Sequence, residues 1–348
     1  AEPRQEQLPE ITVVISAFNA ENHIRERIEN ILACDYPRNR LSILVASDGS
    51  TDGTVAAVGR LEHPNVRIIS FAMRRGKVAT LVDAVDHVTS DVIVFTDASN
   101  RFDSMSLRQL TRHFLSPEVG LVTGKPAMID EQGNPSESLY WRSEMTVRQY
   151  EAKLGIMLGA SGAIYAVRRE LFVTPSKPII NDDLVLPMLV QLTHGCRFVF
   201  DDTARAFVTS SGGISCEFRR RCRIGSGAFQ CLPVLGDLLR WRNGKQAFAF
   251  ASHKLLRWLC PFLLVSLLFS NLALISADGY DRFLWIQAFA YATAFCGLFA
   301  PNRGLFARLA RTACSFVSMN LALLLGFIRW SLDPQAVIWN PTQRPSWN

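Results

Sequence analysis

Apolar residues in the N-terminal part of the chain fall into short runs separated by polar turns and by stretches of helical periodicity. Four runs have the length and composition of strands, namely residues 11–16, 41–46, 66–69 and 92–95. Between them apolar residues recur at helical spacing, as at Ile24, Ile28 and Ile31. Continuous apolar runs indicate strands buried on both faces, as in parallel sheets. The pattern therefore predicts βαβ units and an α/β fold with a parallel sheet.

The last hundred residues have a different pattern, in which long apolar stretches carry few charges. Three of them have about the length that spans a bilayer, namely residues 255–277, 283–300 and 312–328. Arginines cluster in the 301–311 link, so the positive-inside rule predicts that this link and the N-terminal domain face the cytoplasm. An odd number of spans then predicts a C-terminus on the opposite side. Residues 227–250 have the character of an interfacial amphipathic segment.

Composition and charge agree with this division of the chain. Of the 348 residues, 49% are hydrophobic, and the mean hydropathy of +0.13 is high for a fully soluble protein. The net charge is +6, but the basic residues gather at 219–223 and beside the apolar stretches, which favours a membrane surface or an anionic substrate over nucleic acid. The eight cysteines include no C-x-x-C pair, so we expect reduced thiols that serve packing. The predicted order is an α/β domain at 1–214, an interfacial region at 215–253, transmembrane helices at 254–330 and a tail at 331–348.

Asp97 follows the apolar run at 92–95 and precedes a polar turn. In open α/β sheets, ligands bind at the carboxyl ends of the strands. A carboxylate at that place can meet a phosphate through a divalent cation. Asp97 can equally cap the helix that follows, and the run itself does not decide between these two interpretations.

Two further polar positions follow predicted strands or begin predicted helices. Asp48 follows the second strand and precedes a Gly-Ser-Thr loop, where a carboxylate can accept the imide N–H of uracil. Lys77 is a point charge suited to a diphosphate, and its alternative is a solvated surface lysine. Asp52 is interpreted first as an Asx-turn or helix cap and only then as a contact to the ligand.

The order of the motifs resembles the family 2 glycosyltransferases, whose GT-A fold is one nucleotide-binding α/β domain. The resemblance covers residues of about 10 to 240 and is carried by segments 14–21, 47–54, 76–77, 95–98, 159–163, 181–184 and 219–223. It implies a GT-A nucleotide-sugar-binding domain, followed here by an interfacial helical segment and about three transmembrane helices. Any one of these motifs alone would be weak, whereas the ordered set is specific.

The resemblance assigns binding roles residue by residue. Seven positions are implied to bind the nucleotide-sugar, namely Ser16, Glu21, Asp48, Lys77, Asp97, Arg220 and Arg223. In the family, the aspartate at Asp48 binds the nucleobase, and Glu21 matches a glutamate at the nucleoside end. The small residues Gly159, Ala160 and Ser161 are implied to face the acceptor, and tight packing of their loop is the alternative.

The metal site departs from the family pattern. Where the family has Asp-x-Asp, this chain has Asp97-Ala98-Ser99, so the second carboxylate is replaced by a hydroxyl. Two carboxylates would hold Mg²⁺ or Mn²⁺ against the diphosphate and neutralise the leaving group. We still expect Mg²⁺ or Mn²⁺ as cofactor, with Asp97 as its ligand and the diphosphate oxygens and water completing the shell.

The motif Asn181-Asp182-Asp183 supplies the candidate general base. An inverting transfer needs one carboxylate to take the proton of the acceptor hydroxyl as that hydroxyl attacks the anomeric carbon. The family's acid pair ends in this base, which places the role on Asp183. Two adjacent acids repel, so one pKa is expected to rise. Asp182 as the base, or the pair as caps of the next helix, remains the rival interpretation.

The basic cluster occupies the place of the Gln-x-x-Arg-Trp motif of processive family members. Arg220 stands for the Gln, Arg223 matches the Arg, and Ile224 replaces the Trp. Arg223 can still clamp a diphosphate through paired hydrogen bonds. The alternative is that these arginines contact anionic lipid headgroups.

Together these features predict an inverting, membrane-integrated glycosyltransferase of the hexosyltransferase type. Its donor is expected to be a UDP-sugar and its acceptor a glycan or glycolipid in exopolysaccharide or envelope synthesis. The expected location is the inner (cytoplasmic) membrane, multi-pass, with membrane lipids and a synthase or export protein as partners and no nucleic acid. A polyprenyl-phosphate sugar transferase is one alternative. A catalytically silent nucleotide-sugar-binding partner of a synthase is the other.

Overall fold

A computed structural model describes residues 7–130, 132–136, 139–209, 214–277, 279–301 and 304–338. The described residues divide into two compact units. The first unit lies within Ala1–Gly212, Cys231–Ala249 and Gln335–Asn348, and the second within Gly213–Gln230 and Phe250–Pro334. The four-part division predicted from the sequence stays a prediction.

The first unit is built on one eight-stranded sheet with the order β3-β2-β1-β4-β7-β6-β8-β5. The strands are β1 Ile11–Ala17, β2 Leu41–Ser47, β3 Val66–Ser70, β4 Val92–Asp97, β5 Arg101–Phe102, β6 Val119–Ile129, β7 Tyr165–Arg168 and β8 Arg197–Thr209. Strands β1 to β4 are parallel, β7 runs antiparallel to both β4 and β6, and β6 pairs in parallel with β8. This α/β architecture confirms the predicted fold class at the level of the sheet.

The helices complete the βαβ pattern and continue into the second unit. In chain order they are α1 Glu21–Leu32, α2 Thr54–Gly59, α3 Lys77–Val85, α4 Ser106–Thr111, α5 Leu139–Leu154, α6 Asp182–His194, α7 Ile214–Leu235, α8 Gly244–Ala249, α9 Leu256–Ala273, α10 Asp281–Cys296 and α11 Leu305–Leu332. Helix α1 shows why they form, because Ile24, Ile28 and Ile31 are fully buried at helical spacing. A π-helical stretch, Phe250–Leu255, leads directly into α9.

Strand register brings the ends of three strands to one edge of the sheet. Ala17 of β1 pairs with Ser47 of β2, and Ser16 of β1 pairs with Asp97 of β4. Asp48 is the first residue after β2. The candidate residues at the carboxyl ends of these strands are therefore neighbours, as expected for a ligand site in an open α/β sheet.

The second unit is held together by aromatic and close backbone packing. The Phe229 ring of α7 lies 5.0 Å from the Phe327 ring and 5.9 Å from the Trp330 ring, both of α11. A Cβ on Gly326 would lie 2.6 Å from the backbone nitrogen of Ser226, so only glycine permits this approach of α11 to α7.

Helices α9, α10 and α11 expose large apolar side chains. Phe269 is 65% exposed, Phe289 73% and Leu305 74%. Among the described residues, two helical stretches are long and apolar enough to cross a membrane, Trp241–Ala273 and Leu305–Leu332. Helix α10 coincides with the second predicted span, but its 16 residues reach only about 24 Å, less than the roughly 30 Å of a bilayer's hydrocarbon core.

The chain that follows α11 returns to the first unit. A Cβ on Gly76 would lie 3.1 Å from the Cγ2 atom of Val337, so Val337 packs against the residue that precedes α3. Residues 249 and 335 both belong to the first unit, and the segment between them leaves that unit and comes back.

Candidate functional site

Glu21 and Asp52 join the loops that follow β1 and β2. The Gly53 N–H donates to Glu21 Oε2 at 3.0 Å, and the Glu21 N–H donates to Asp52 Oδ2 at 3.1 Å. The Thr54 N–H donates to Asp52 Oδ1 at 3.0 Å, which is an Asx-turn. Burial alone would raise the pKa of Asp52, but the hydrogen bonds from Thr54 and Glu21 lower it overall. In this structure both carboxylates therefore hold the loops after β1 and β2 in place.

Asp48 is held by the loop that leads into α3. Its carboxylate is 3% exposed and accepts the Arg75 N–H at 2.7 Å and the Gly76 N–H at 2.9 Å. The Asp48 N–H donates in turn to the Ala17 carbonyl at the end of β1, at 2.8 Å. Gly76 has a φ of +96°, a conformation that side chains disfavour. Asp48 thus fixes the start of α3 against the ends of β1 and β2.

Arg74, which was not predicted as a site residue, contacts the loop that follows β1. The Arg74 guanidinium lies over the Phe18 ring, 3.8 Å from its centroid. Burial lowers the pKa of Arg74, and the nearby Asp48 carboxylate partly offsets this effect. The Arg74-Arg75 pair before Gly-Lys was the only signal in the sequence, and such a pair is also common on solvated surfaces.

Lys77 joins two carboxylates from different elements. Its ammonium lies 2.7 Å from Asp97 Oδ1 at the end of β4 and 3.0 Å from Asp182 Oδ2 at the start of α6. Burial opposes the charge of Lys77, but the two carboxylates raise its pKa above the ordinary value. Lys77 is therefore a partly buried ion-paired group, which argues against a solvated surface lysine.

The two adjacent aspartates have different surroundings. Asp182 is 6% exposed, whereas Asp183 is half-buried. Burial raises the pKa of Asp182 to about 6; Lys77 acts in the opposite sense, and the negative charges of Asp183 and Asp97 add to the rise. Of the pair, Asp183 is thus the carboxylate that is more accessible.

The loop of small residues is bound to the first turn of α6. The Ala160 N–H donates to the backbone carbonyl of Asp183 at 2.7 Å. In a regular helix this carbonyl would accept the N–H of residue 187, but Pro187 has none. The proline therefore leaves the Asp183 carbonyl available for the loop. A Cβ on Gly162 would lie 3.5 Å from Asp183 Oδ2, so the backbone of this loop directly adjoins the Asp183 carboxylate.

Two more contacts fix the same loop. The Ser161 N–H donates to the Thr123 hydroxyl of β6 at 2.9 Å, and Arg148 of α5 contacts the Ala160 carbonyl at 3.4 Å. Burial lowers the pKa of Arg148, and the Asp183 carboxylate is the largest opposing influence. Sequence reasoning missed Arg148 because it lies on a helix that carries no recognised motif.

A buried arginine lies behind Asp97. Arg27 of α1 is 2% exposed and donates to the Thr96 hydroxyl at 2.9 Å, and that hydroxyl donates to the Ala163 carbonyl at 2.7 Å. Its guanidinium also lies 4.0 Å from the centroid of the Phe102 ring. Burial lowers the pKa of Arg27 to about 9, although Asp97 acts in the opposite sense. The chain of contacts joins α1, β4 and the small-residue loop beneath the site.

The protein's own groups offer a divalent cation few ligands. Among the described residues, no cluster of three or more His, Cys, Asp or Glu side chains could hold a metal ion. Asp97 contributes one partly exposed carboxylate, and Ser99 stands where the family has a second. Mg²⁺ is commonly held by one or two carboxylates together with substrate phosphates. Asp97 therefore fits a cation that arrives with a diphosphate, and it does not form a complete site alone.

Arg220 and Arg223 lie on α7, in the second unit. Glu217 holds Arg220 through two hydrogen bonds, at 2.9 and 3.0 Å, and Arg221 through a third at 2.8 Å. Burial opposes the charge of Glu217, but Arg220 and Arg221 lower its pKa to about 2. In this structure Arg220 is thus engaged within its own helix.

The candidate site thus brings Ser16, Asp48, Lys77, Asp97 and Asp182 together at one edge of the first unit's sheet. Residues 12–174 match the family model described as glycosyl transferase family 2. A solved structure, the mannosyltransferase PcManGT from Pyrobaculum calidifontis in complex with GDP-Man and Mn²⁺, superimposes with a TM-score of 0.70 at 21% identity. That match covers 96% of this chain and 90% of the mannosyltransferase chain, and it shows the GT-A fold.

Curated relatives have synthase names. The β-monoglucosyldiacylglycerol synthase of Synechocystis sp. is 24% identical over 199 residues, which are 53% of this chain and 40% of the relative. The poly-β-1,6-N-acetyl-D-glucosamine synthase of Staphylococcus aureus is 26% identical over 235 residues, which are 65% of this chain and 56% of the relative. The chain thus spans about half the length of the curated relatives that it matches. The sheet and the motif order agree with these matches: residues 12–174 match glycosyl transferase family 2, and the fold is GT-A.

Proposed function

We propose that this chain is an inverting glycosyltransferase that moves a sugar from a UDP-linked donor to a glycan or glycolipid acceptor. The observation that carries the proposal is the position of Lys77 between Asp97 and Asp182, with Asp183 as the next residue. An ammonium and carboxylates at the carboxyl ends of parallel strands suit a diphosphate leaving group. Asp48, beside the start of α3, is then the group that meets the nucleobase.

In the proposed mechanism, the acceptor hydroxyl attacks the anomeric carbon as the bond from that carbon to the diphosphate oxygen breaks. Asp183 takes the hydroxyl proton, and the nucleoside diphosphate leaves on the opposite face. Lys77 turns toward the developing negative charge on the diphosphate. A divalent cation bound by Asp97 and the diphosphate would supply additional charge neutralisation.

The assignment of the base to Asp183 follows from burial and ion pairing. Asp182 is buried and paired with Lys77, so taking a proton there would break the ion pair that holds Lys77. Asp183 is half-buried, and the small-residue loop beside it leaves its carboxylate next to backbone rather than bulky side chains. An acceptor sugar can approach such a surface closely.

The exposed apolar helices support a location in the cytoplasmic membrane, with the catalytic unit in the cytoplasm. We propose that the segment between residues 249 and 335, here called the membrane segment, crosses the bilayer an even number of times. The reason is that both of its ends join the first unit. Trp241–Ala273 and Leu305–Leu332 are then the two crossings, and α10 enters the bilayer without crossing it. This differs from the sequence expectation, which was three spans, a C-terminus on the opposite side and a 301–311 link in the cytoplasm. The contact of Val337 with Gly76 supports the even number of crossings.

The test is a donor screen with the full chain purified in detergent. UDP-glucose, UDP-N-acetylglucosamine and GDP-mannose are each incubated with diacylglycerol, a β-linked oligosaccharide or polyprenyl phosphate, with Mn²⁺, with Mg²⁺ or with a chelator. Acceptor-dependent release of UDP that needs the divalent ion is the expected result. Release with polyprenyl phosphate alone would establish the other acceptor class. Nucleotide binding without any turnover would contradict the proposed activity and indicate a silent binding module.

A further inference from the structure

Arg27 is a buried cation without an acidic partner. The residue lies on α1 and is 2% exposed. In the described part of the chain its guanidinium forms no ion pair with a carboxylate, whereas the buried Arg108 of α4 is paired with Asp35 at 2.9 Å. Taking an unpaired charge out of water is costly. The presence of Arg27 at this place therefore needs a reason beyond the packing of α1.

The contacts of the Arg27 guanidinium are all with neutral groups. Nη1 donates to Asn30 Oδ1 at 2.6 Å, Nη2 donates to the Thr96 hydroxyl at 2.9 Å, and the Phe102 ring centroid lies 4.0 Å from the guanidinium carbon. Nε is buried and has no hydrogen-bond partner among the described residues. Asn30 Oδ1 also accepts the Phe102 N–H at 2.8 Å, so it stays bonded without Arg27. None of these contacts neutralises the charge of Arg27.

The charge lies behind the carboxyl end of β4. Thr96 directly precedes Asp97, so the Nη2 atom of Arg27 is less than about 10 Å from the Asp97 Cα, given a Cα–Cα step of about 3.8 Å. Burial lowers the pKa of Arg27 to about 9, so the guanidinium stays protonated at neutral pH. Charges interact over such a distance when protein rather than water lies between them. Arg27 therefore adds positive potential at the strand end where Asp97 and Lys77 lie.

We propose that Arg27 supplies a fixed positive charge that favours binding of the donor diphosphate at the end of β4. The inference rests on the proposed function, which puts the diphosphate beside Asp97 and Lys77. It adds a residue that the motif pattern does not include. An acidic partner would cancel the potential of Arg27, which explains why it has none. Because Ser99 replaces the second acid of the family pattern, a divalent cation has one carboxylate fewer here, and a charge built into the fold offsets part of that loss.

Calorimetry with UDP and with uridine, both in the presence of Mn²⁺, tests the role of the charge. Arg27→Met removes the charge, and Arg27→Lys keeps it. Arg27→Met should weaken UDP binding about tenfold, the order expected for unit charges about 10 Å apart at an effective dielectric constant of about 20. It should leave uridine binding unchanged, because uridine carries no phosphate. Arg27→Lys should retain most of the UDP affinity.

Two further variants complete the test. Arg27→Gln is a second neutral variant, which can still donate to Thr96, and it should weaken UDP binding as much as Arg27→Met does. Arg108→Met is the matched control, because Arg108 is also buried on a helix of the first unit but is paired with Asp35. It should lower the melting temperature and leave the affinities for UDP and uridine unchanged.

These outcomes separate the two proposals. Equal UDP affinity of the wild-type protein and the two neutral Arg27 variants would overturn the inference and leave the proposed function standing. An equal loss of UDP and uridine affinity in these variants would also overturn it, because that loss indicates a distorted site rather than a missing charge. Wild-type protein that binds neither UDP nor GDP would contradict the proposed function itself, and the role of Arg27 in donor binding with it.

Discussion

At the scale of single residues, the proposed chemistry depends on how differently two neighbouring aspartates are placed. Asp182 is buried against Lys77, and Asp183 faces the small-residue loop. We predict that Asp183→Asn lowers kcat by about 10²–10⁴-fold, the usual contribution of a general base, with little change in donor affinity. Steady-state kinetics and UDP titration of the same preparation check this. Near-normal turnover of Asp183→Asn, with turnover abolished in Asp182→Asn, would place the base on Asp182.

The pKa of Asp182 gives a second prediction at this scale. Burial raises this pKa to about 6, above the ordinary value near 3.8. Between these two pH values the folded protein keeps a proton on Asp182 that the unfolded chain releases. The resulting stabilisation is complete below pH 4 and is lost as the pH rises through 6. Asp182→Asn should therefore stabilise the ligand-free protein by about 1–3 kcal/mol at pH 7.5 and by much less at pH 5. Thermal unfolding at both pH values checks this, and a stabilisation that is the same at pH 5 and pH 7.5 would contradict it.

What the sequence reveals about individual residues depends on whether they stand at an element boundary. Asp48, Lys77 and Asp97 end strands or begin helices, so strand and helix patterns alone mark them as site candidates. Arg27 lies inside a buried pattern, among the isoleucines of α1. Its partner Thr96 comes from a distant part of the chain, and no local pattern shows that the Arg27 guanidinium reaches that hydroxyl.

At the scale of elements, Pro187 couples helix α6 to the small-residue loop. We predict that Pro187→Ala restores an N–H that competes with Ala160 for the Asp183 carbonyl. Turnover should fall about tenfold, by analogy with misplacement of a catalytic group, while the melting temperature stays equal or rises because alanine favours the helix. Faster hydrogen exchange at the Ala160 amide is the structural readout.

Pro261→Ala in α9 is the control for this prediction, because it also removes a proline from a helix interior but lies in the second unit. Unchanged turnover and unchanged Ala160 exchange in Pro187→Ala would contradict the coupling.

The elements themselves were predictable to different degrees. Strands β1 to β4 are apolar runs separated by helices, and they form as predicted. The insertion of β7 between β4 and β6, antiparallel to both, was not predicted, because such pairing depends on contacts distant in sequence. The small-residue loop was located correctly, but its attachment to α6 required knowing that Pro187 frees a carbonyl.

At the scale of the whole molecule, the path of the chain supports the proposed membrane topology. Both ends of the membrane segment belong to the first unit, so we predict that a reporter fused after Asn348 lies on the cytoplasmic side. Green fluorescent protein fused there should fluoresce, and alkaline phosphatase fused there should be inactive in the same cells. A fusion within the α9–α10 link, after Ala277, is the control and should give the opposite result. Active phosphatase after Asn348 would show an odd number of crossings.

The central claim is inverting transfer, and the anomeric configuration of the product tests it most directly. The full chain is incubated with an α-linked UDP-sugar and the acceptor found in the donor screen, and the new linkage is read by proton NMR. The account predicts a β-linkage, since Asp183 activates a hydroxyl that attacks opposite the leaving diphosphate. An α-linked product would contradict the account, because retention excludes the single displacement on which the role of Asp183 rests.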